Sequence, residues 1–211
     1  MLPSMISVIQ TVFQSKCFHC KIELADDKFG LCRGCSSELS FMVRRLPSSD
    51  YIHSMWALSA YHGPMGSLIR QGKYMSKRRI FTVLGKLMAE AALDLPAFDA
   101  IVHVPVPWHR KIHRGFDQAE VLAQTIQAFL SVPHYKVLRR KGFERQAQKT
   151  MEARSQNFLS QFYCLEQKLP SRILLVDDTI TTGATLEACG AALYQQGVEE
   201  IIGFALSSTK F

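Results

Sequence analysis

The stretch ILLVDDTITTGAT, Ile173 to Thr185, joins a hydrophobic run to two adjacent aspartates, a run of threonines and a glycine. Its apolar start, Ile173 to Val176, suits a strand covered on both faces, and hence a mostly parallel sheet flanked by helices. A helical pattern begins at Ala184, so Thr179 to Gly183 read as the loop between strand and helix. In such sheets ligands sit beyond the carboxyl ends of the strands. The loop's backbone amides and the first helical turn form an anion cradle. Thr179, Thr181, Thr182 and Thr185 add hydroxyls, and Gly183 allows close approach of the backbone. There is no GxxxxGK, so this is not an ordinary nucleotide-triphosphate loop. Asp177 and Asp178 would repel a phosphate if they faced it. The expected ligand therefore carries a phosphate at one end and a diol nearby, and a phosphorylated ribose meets that description.

Outward from this stretch, strand-like and helix-like runs alternate. Strands are expected at MWALSAY (55–61), DAIVHVPVP (99–107), YKVLRR (135–140), RILLVDD (172–178) and EIIGFALSS (200–208). Helices are expected at PMGSLIRQGKY, RIFTVLGKLMAEAAL, DQAEVLAQTIQAFL, ATLEACGAALYQQG and a polar segment around Gln146 to Arg154. The fold class is α/β, a parallel sheet flanked by helices, over residues 51–211. His103 lies inside an apolar strand and reads as a packed, hydrogen-bonded histidine. Phe116 reads as core.

Residues 1–50 form a second, smaller module. Cys17, Cys20, Cys32 and Cys35 make two CxxC knuckles separated by eleven residues, the spacing of a four-thiolate structural zinc site. With no export signal recognisable in the first residues, disulfides are disfavoured, and a duplicated motif argues against a lone redox pair. The module holds too few core formers to fold without its metal. His19 reads as surface; Cys164 and Cys189 read as buried thiols. The boundary is expected near MVRRLPSSDY, with a short, exposed, serine-rich link.

At 211 residues, 47% hydrophobic and 20% charged, the chain has room for one sizeable core and a satellite. No stretch reaches the eighteen or more apolar residues of a spanning helix, and the expected location is cytoplasmic. The net charge of +7 is concentrated. Arg70, Lys73, Lys77, Arg78 and Arg79 form one cluster, HRKIHR (109–114) a second, and Lys136 to Lys149 a third with six basic residues against Glu144. Such clusters are either solvated surface or the footprint of a polyanion, a phosphorylated small molecule or nucleic acid.

The strand, paired acids and threonine-glycine loop resemble the phosphoribosyl pyrophosphate (PRPP) signature of the type I phosphoribosyltransferases. The whole chain is similar to the ComF family of competence proteins: a four-cysteine module, then VPVPWHRKIHRGFDQAE, then a basic segment ending in RSQNF, then LLVDDTITTGAT. The resemblance implies that Asp177 and Asp178 hold the ribose hydroxyls, directly or through Mg²⁺. It implies that Thr179, Ile180, Thr181, Thr182, Gly183, Ala184 and Thr185 wrap the 5′-phosphate. The turn with Val106, Pro107, His109 and Arg110 corresponds to the pyrophosphate site, with Arg114 in the following RGFDQ. Asp117 stands there where the family has asparagine, adding a negative charge near a polyanion site. His109 and His113 are either surface or pyrophosphate contacts. Lys73 and Tyr74 occupy the part of the fold that closes over the ligand. Arg154 and Asn157 match the family's basic segment, whose glutamine is Gln146 or Gln148.

Three functions follow. The first is a Mg²⁺-dependent phosphoribosyltransferase of unassigned acceptor, with Asp177, Asp178 and Arg110 as its catalytic groups. The second is a catalytically silent module that keeps PRPP-type binding or binds DNA. The third is a scaffold whose zinc module docks a partner. The resemblance implies a role in natural transformation, on incoming single-stranded DNA with helicase or recombination proteins as partners.

Overall fold

The computed structural model describes residues 16–24, 30–141 and 159–210. In chain order the elements are α1 (Arg33–Ser37), β1 (Arg44–Leu46), β2 (Ser54–Ala60), α2 (Gly63–Tyr74), α3 (Arg78–Ala91), β3 (Ala100–His103), α4 (Trp108–Arg114), α5 (Gln118–Leu130), β4 (His134–Tyr135), β5 (Leu138–Arg140), β6 (Phe162–Cys164), β7 (Arg172–Ile180), α6 (Ala184–Tyr194) and β8 (Glu200–Ser208). Six strands make one sheet in the order β1-β2-β8-β7-β3-β4, and β5 pairs with β6 as a separate two-stranded sheet. Within the large sheet only β1 runs antiparallel to its neighbour. The expected α/β class is what the chain adopts. No described helix is long and apolar enough to cross a membrane.

The central strands β7 and β8 are apolar on both faces, which is why helices must cover both. Leu174, Val176, Ile202 and Phe204 pack on one face under α2, α3 and α5, against Leu68, Ile69, Phe81, Met88, Leu122 and Ile126. Ile173, Leu175, Ile201 and Ala205 pack on the other under α6 and the β5–β6 hairpin, against Ala188, Leu193, Leu138 and Phe162.

Two expected strands are cut differently. DAIVHVPVP is strand only to His103, because Pro105 and Pro107 lack amide donors for the ladder. YKVLRR divides: Tyr135 lies in β4 beside β3, and Leu138–Arg140 turns into the hairpin with β6. His109 and Arg110, expected in the turn after Pro107, lie in helix α4, which starts after Pro107 and stops at Gly115 in the left-handed region. The expected helix around Gln146 to Arg154, with Asn157, lies outside the described residues.

The front module is packed on the main sheet. Cys17, Leu31 and Cys35 belong to the same buried cluster as Leu68 and Ile69 of α2. His19 Nδ1 lies 3.0 Å from Ser67 Oγ, and the Lys77 ammonium sits 4.4 Å from the centre of the Phe18 ring. The link is exposed at Pro47 to Asp50 as expected. It is nonetheless held: Arg44–Leu46 forms the sheet's edge strand, and Glu187 of α6 accepts from Ser49 Oγ and from the Tyr51 amide.

Candidate functional site

Strand β7 runs on through Ile180, so Asp177 and Asp178 lie inside it rather than at its end. Consecutive strand residues project to opposite faces. Asp178 faces α2 and α5: Lys73 Nζ lies 2.5 Å from its Oδ2, and Gln118 Nε2 donates to the same oxygen at 3.2 Å. Asp177 faces α6, where its charge bears on Cys189. Its Oδ1 accepts the Asp178 amide at 2.7 Å. Burial, followed by the nearby Asp178 charge, raises the Asp177 carboxyl well above the usual carboxylate range. The two carboxylates thus do not form one doubly charged prong. One is neutralised by Lys73 and the other is pushed toward protonation, which removes the repulsion expected between the pair and a neighbouring phosphate.

Because the strand is longer, the loop is shorter than the sequence suggests. Thr179 and Ile180 are strand residues: Thr179 Oγ1 meets Ser207 Oγ at 3.2 Å, and Ile180 is buried with its carbonyl accepting from Thr209. The Ile180 side chain packs inward, so what it offers on the loop side is backbone. The loop proper is Thr181, Thr182 and Gly183, with both threonines exposed. Gly183 adopts φ +90°, a left-handed conformation that L side chains resist. It also serves as the N-cap of α6 and brings no side-chain acceptor to that helix's free amides. The Ala184 amide donates to Thr182 Oγ1 at 3.3 Å. Glu187, the acid of the first turn, is turned away to the link. The outcome is a cradle of free amides at the start of α6, suited to an anion and separated from the acid pair by Thr179 and Ile180.

Two consecutive residues at the start of α5 connect this cradle to the proline turn. Asp117 Oδ1 accepts from the Glu120 amide, capping the helix, and its Oδ2 accepts from the Val106 amide at 2.9 Å. Gln118 reaches Asp178, and its own Oε1 is buried without a partner among the described residues. The acid in place of the family's asparagine is therefore engaged by two backbone amides while lining the cavity of the proline turn. Burial raises its pKa. Gln118 is the residue that sequence reading passed over, although it stands in RGFDQ.

Val106, Pro107, His109 and Arg110 line a cavity of about 600 Å³ together with Trp108, Lys136 and β5. Neither Asp177, Asp178 nor any of Thr179 to Thr185 lines it. The structure thus brings together the acids, Lys73 and the threonine loop, and separately gathers the proline-turn residues in the cavity. Arg114 is half-buried at the end of α4.

His103 sits on the cavity floor with Nδ1 2.8 Å from His134 Nε2, as a packed, hydrogen-bonded histidine should. Burial, then the neighbouring charges, lowers His103 to about 3 and His134 to about 4. Between those values and the ordinary 6.5 the unfolded chain binds more protons than the folded one, so stability falls as pH falls. Stability is expected to drop by up to about 2 kcal/mol between pH 6.5 and 5 from His103, and by less from the more exposed His134. Urea melts across that range check it: His103→Leu should flatten the slope.

At the front, the sulfurs of Cys17, Cys20, Cys32 and Cys35 all lie within 4.8 Å of one another, and none is in a disulfide. Cys20 Sγ and Cys32 Sγ are 3.6 Å apart, close to the roughly 3.8 Å edge of a tetrahedron with metal–sulfur bonds of about 2.3 Å. The thiols act on one another: burial acts to raise Cys17, but the amides of Cys32, Cys20 and His19 outweigh it and lower that thiol, while burial and the neighbouring thiols raise Cys35. The donor set fits a tetrahedral, thiophilic metal ion with every position filled by protein.

No family model matches the chain. Competence protein F of Haemophilus influenzae is 30% identical over 220 residues, covering 90% of this chain and 95% of that protein. The DNA utilization protein YhgH of Escherichia coli K12 is 25% identical, covering 92% and 96%. Competence protein ComFC of Streptococcus pneumoniae is 23% identical, covering 71% and 66%. Among solved structures, adenine phosphoribosyltransferase from Leishmania tarentolae aligns with a TM-score of 0.45 at 10% identity, over 79% of this chain and 95% of that one. The PRPP amidotransferase of B. subtilis aligns with a TM-score of 0.44 at 18% identity, over 59% and 26%. Since the Haemophilus influenzae relative matches over nearly the full length of both proteins, the chain belongs to the ComF family of competence proteins.

Proposed function

We propose that this chain binds PRPP or a related phosphoribosyl ligand where β7 meets α6, and that it acts in the cytoplasm on incoming single-stranded DNA during natural transformation. The observation that carries the ligand reading is the order of parts at the end of β7: an acid pair with its charge already offset and, beyond Thr179 to Gly183, a helix start with no side-chain cap. The 5′-phosphate lies on the amides and hydroxyls of Thr181 to Thr185. Asp177 and Asp178 approach the ribose hydroxyls from the two faces of the strand. Asp178 gives up part of its contact with Lys73, and that ammonium turns toward the ligand's phosphates. Mg²⁺ entering with the ligand would be held by the ligand's oxygens and one of the two carboxylates, which project to opposite faces, and would neutralise phosphate charge. The proline turn, with His109, Arg110 and Arg114, receives the pyrophosphate. The four cysteines hold a structural Zn²⁺. The DNA setting rests on relatives named for competence and DNA utilization and on the cationic surface.

Equilibrium dialysis of zinc-loaded protein with radiolabelled PRPP and Mg²⁺ tests the ligand. Saturable uptake, displaced by ribose 5-phosphate and not by ribose, is expected. Absence of uptake, or displacement by ribose as effective as by its phosphate, would refute it.

A further inference from the structure

Helix α4 (WHRKIHR) buries none of its residues. Trp108 is 72% exposed, and so is Ile112 one turn later on the same side. Trp108 and Ile112 thus put an exposed apolar pair on a helix without a single acid, at the edge of a cavity that Trp108 itself lines. The surface beside them narrows the choice of partner. The cavity next to Trp108 is lined by Arg110, Lys111, Lys136, Arg139, Arg140 and Lys141, against only Asp117 and Glu120. Both acids are already committed. Asp117 serves two backbone amides, and Glu120 is held between Lys111 at 2.8 Å and Lys136 at 2.6 Å.

The arginines are the decisive feature. Arg140 is braced on the Phe162 ring at 5.4 Å and donates to Gln161. Burial lowers its pKa, and so does the like charge of Arg110 across the cavity. Neither guanidinium has an acidic partner among the described residues. Two like charges turned toward one cavity are electrostatically costly until an anion lies between them.

We propose that Trp108 and this cavity form a binding site for single-stranded nucleic acid, with the indole stacked on a base and Arg110, Arg140 and the adjacent lysines contacting successive phosphodiesters. Exposed aromatics set beside a cationic groove are how proteins hold single strands without sequence preference. A duplex offers no free base face, and an acidic peptide would leave the indole idle. The site rests on the DNA setting proposed above. It goes beyond that setting in placing the strand away from Asp177, Asp178 and the threonine loop, so that strand and sugar phosphate overlap only at the proline turn, Val106, Pro107, His109 and Arg110, where the pyrophosphate would lie.

The chain has two tryptophans. Trp56 lies in β2 with its indole N–H donating to Ser54 Oγ, so it serves as an internal reference. Full-length, zinc-loaded protein would be titrated at low salt with oligodeoxythymidine of about twelve nucleotides lacking a 5′-phosphate. Tryptophan emission is expected to fall on binding. Trp108→Leu should abolish that change and weaken binding roughly ten-fold or more, the size of one lost base stack. Trp108→Phe should restore most of the affinity, and Arg140→Gln should reduce the log–log salt slope by about 0.7. The Asp177→Ala, Asp178→Ala variant should quench normally, which separates this site from the sugar-phosphate reading. Tight binding with unchanged emission, or equal affinity in Trp108→Leu, would overturn the site while leaving the DNA role standing. Equal binding and quenching by a blunt duplex would overturn the site as well. No binding by the native chain would defeat both.

Discussion

Removing the metal from the four-cysteine module, or replacing Cys17 by serine, is expected to lower the melting temperature of the whole chain by more than about 10 °C. Two features combine. A structural zinc site contributes its binding free energy directly to folding. Here the module also shares its buried residues with the sheet: Cys17 and Cys35 are 0% and 5% exposed and pack in the cluster that contains Ile69, Phe81 and Phe204. Losing the site therefore uncovers α2 as well as melting the knuckles. A few kcal/mol, at about 2–4 °C each for a chain of this size, gives the stated drop. Scanning calorimetry on zinc-loaded and chelator-treated protein, with metal content measured in parallel, checks it. Identical transitions in the two samples would mean that the four thiols do not hold a structural metal.

Asp178→Ala is expected to cost about 3–5 kcal/mol of stability and to abolish sugar-phosphate binding. The Lys73–Asp178 pair is mostly buried, at 19% and 11% side-chain exposure. Removing the acid alone leaves the ammonium uncompensated and takes a partner from Gln118. The combined variant Lys73→Met, Asp178→Asn should be more stable than the sum of its single changes predicts, because no lone charge remains. Urea denaturation of the four proteins in the cycle measures this coupling. Additive losses would show that the ion pair is not formed in solution.

Much of the site could be read in the sequence because it is local. Ile173 to Thr185 carries strand, acids, loop and helix start in one run, and the cysteine knuckles are likewise defined by spacing. What escaped depends on contacts between distant residues. The extension of β7 to Ile180 comes from its pairing with β8, where Thr179 meets Ser207 and Ile180 meets Ser208. Propensity could not reveal that, since threonines suit a strand and a loop alike. Lys73 was placed only in the closing region; its partner 105 positions away, Asp178, follows from the packing of α2 on the sheet. The reversal of Asp117 from a troublesome charge to a cap needed the position of the Val106 amide. Helix α4 was missed because it buries nothing and so has no apolar periodicity to detect.

The most direct measurement is a calorimetric titration of zinc-loaded protein with PRPP and Mg²⁺, run beside a folded Asp177→Ala, Asp178→Ala variant. Micromolar binding by the native chain, lost in the variant while its zinc and its DNA binding persist, is the predicted result. Heats indistinguishable from buffer for the native chain, or undiminished affinity in the variant, would contradict a phosphoribosyl site at the junction of β7 and α6.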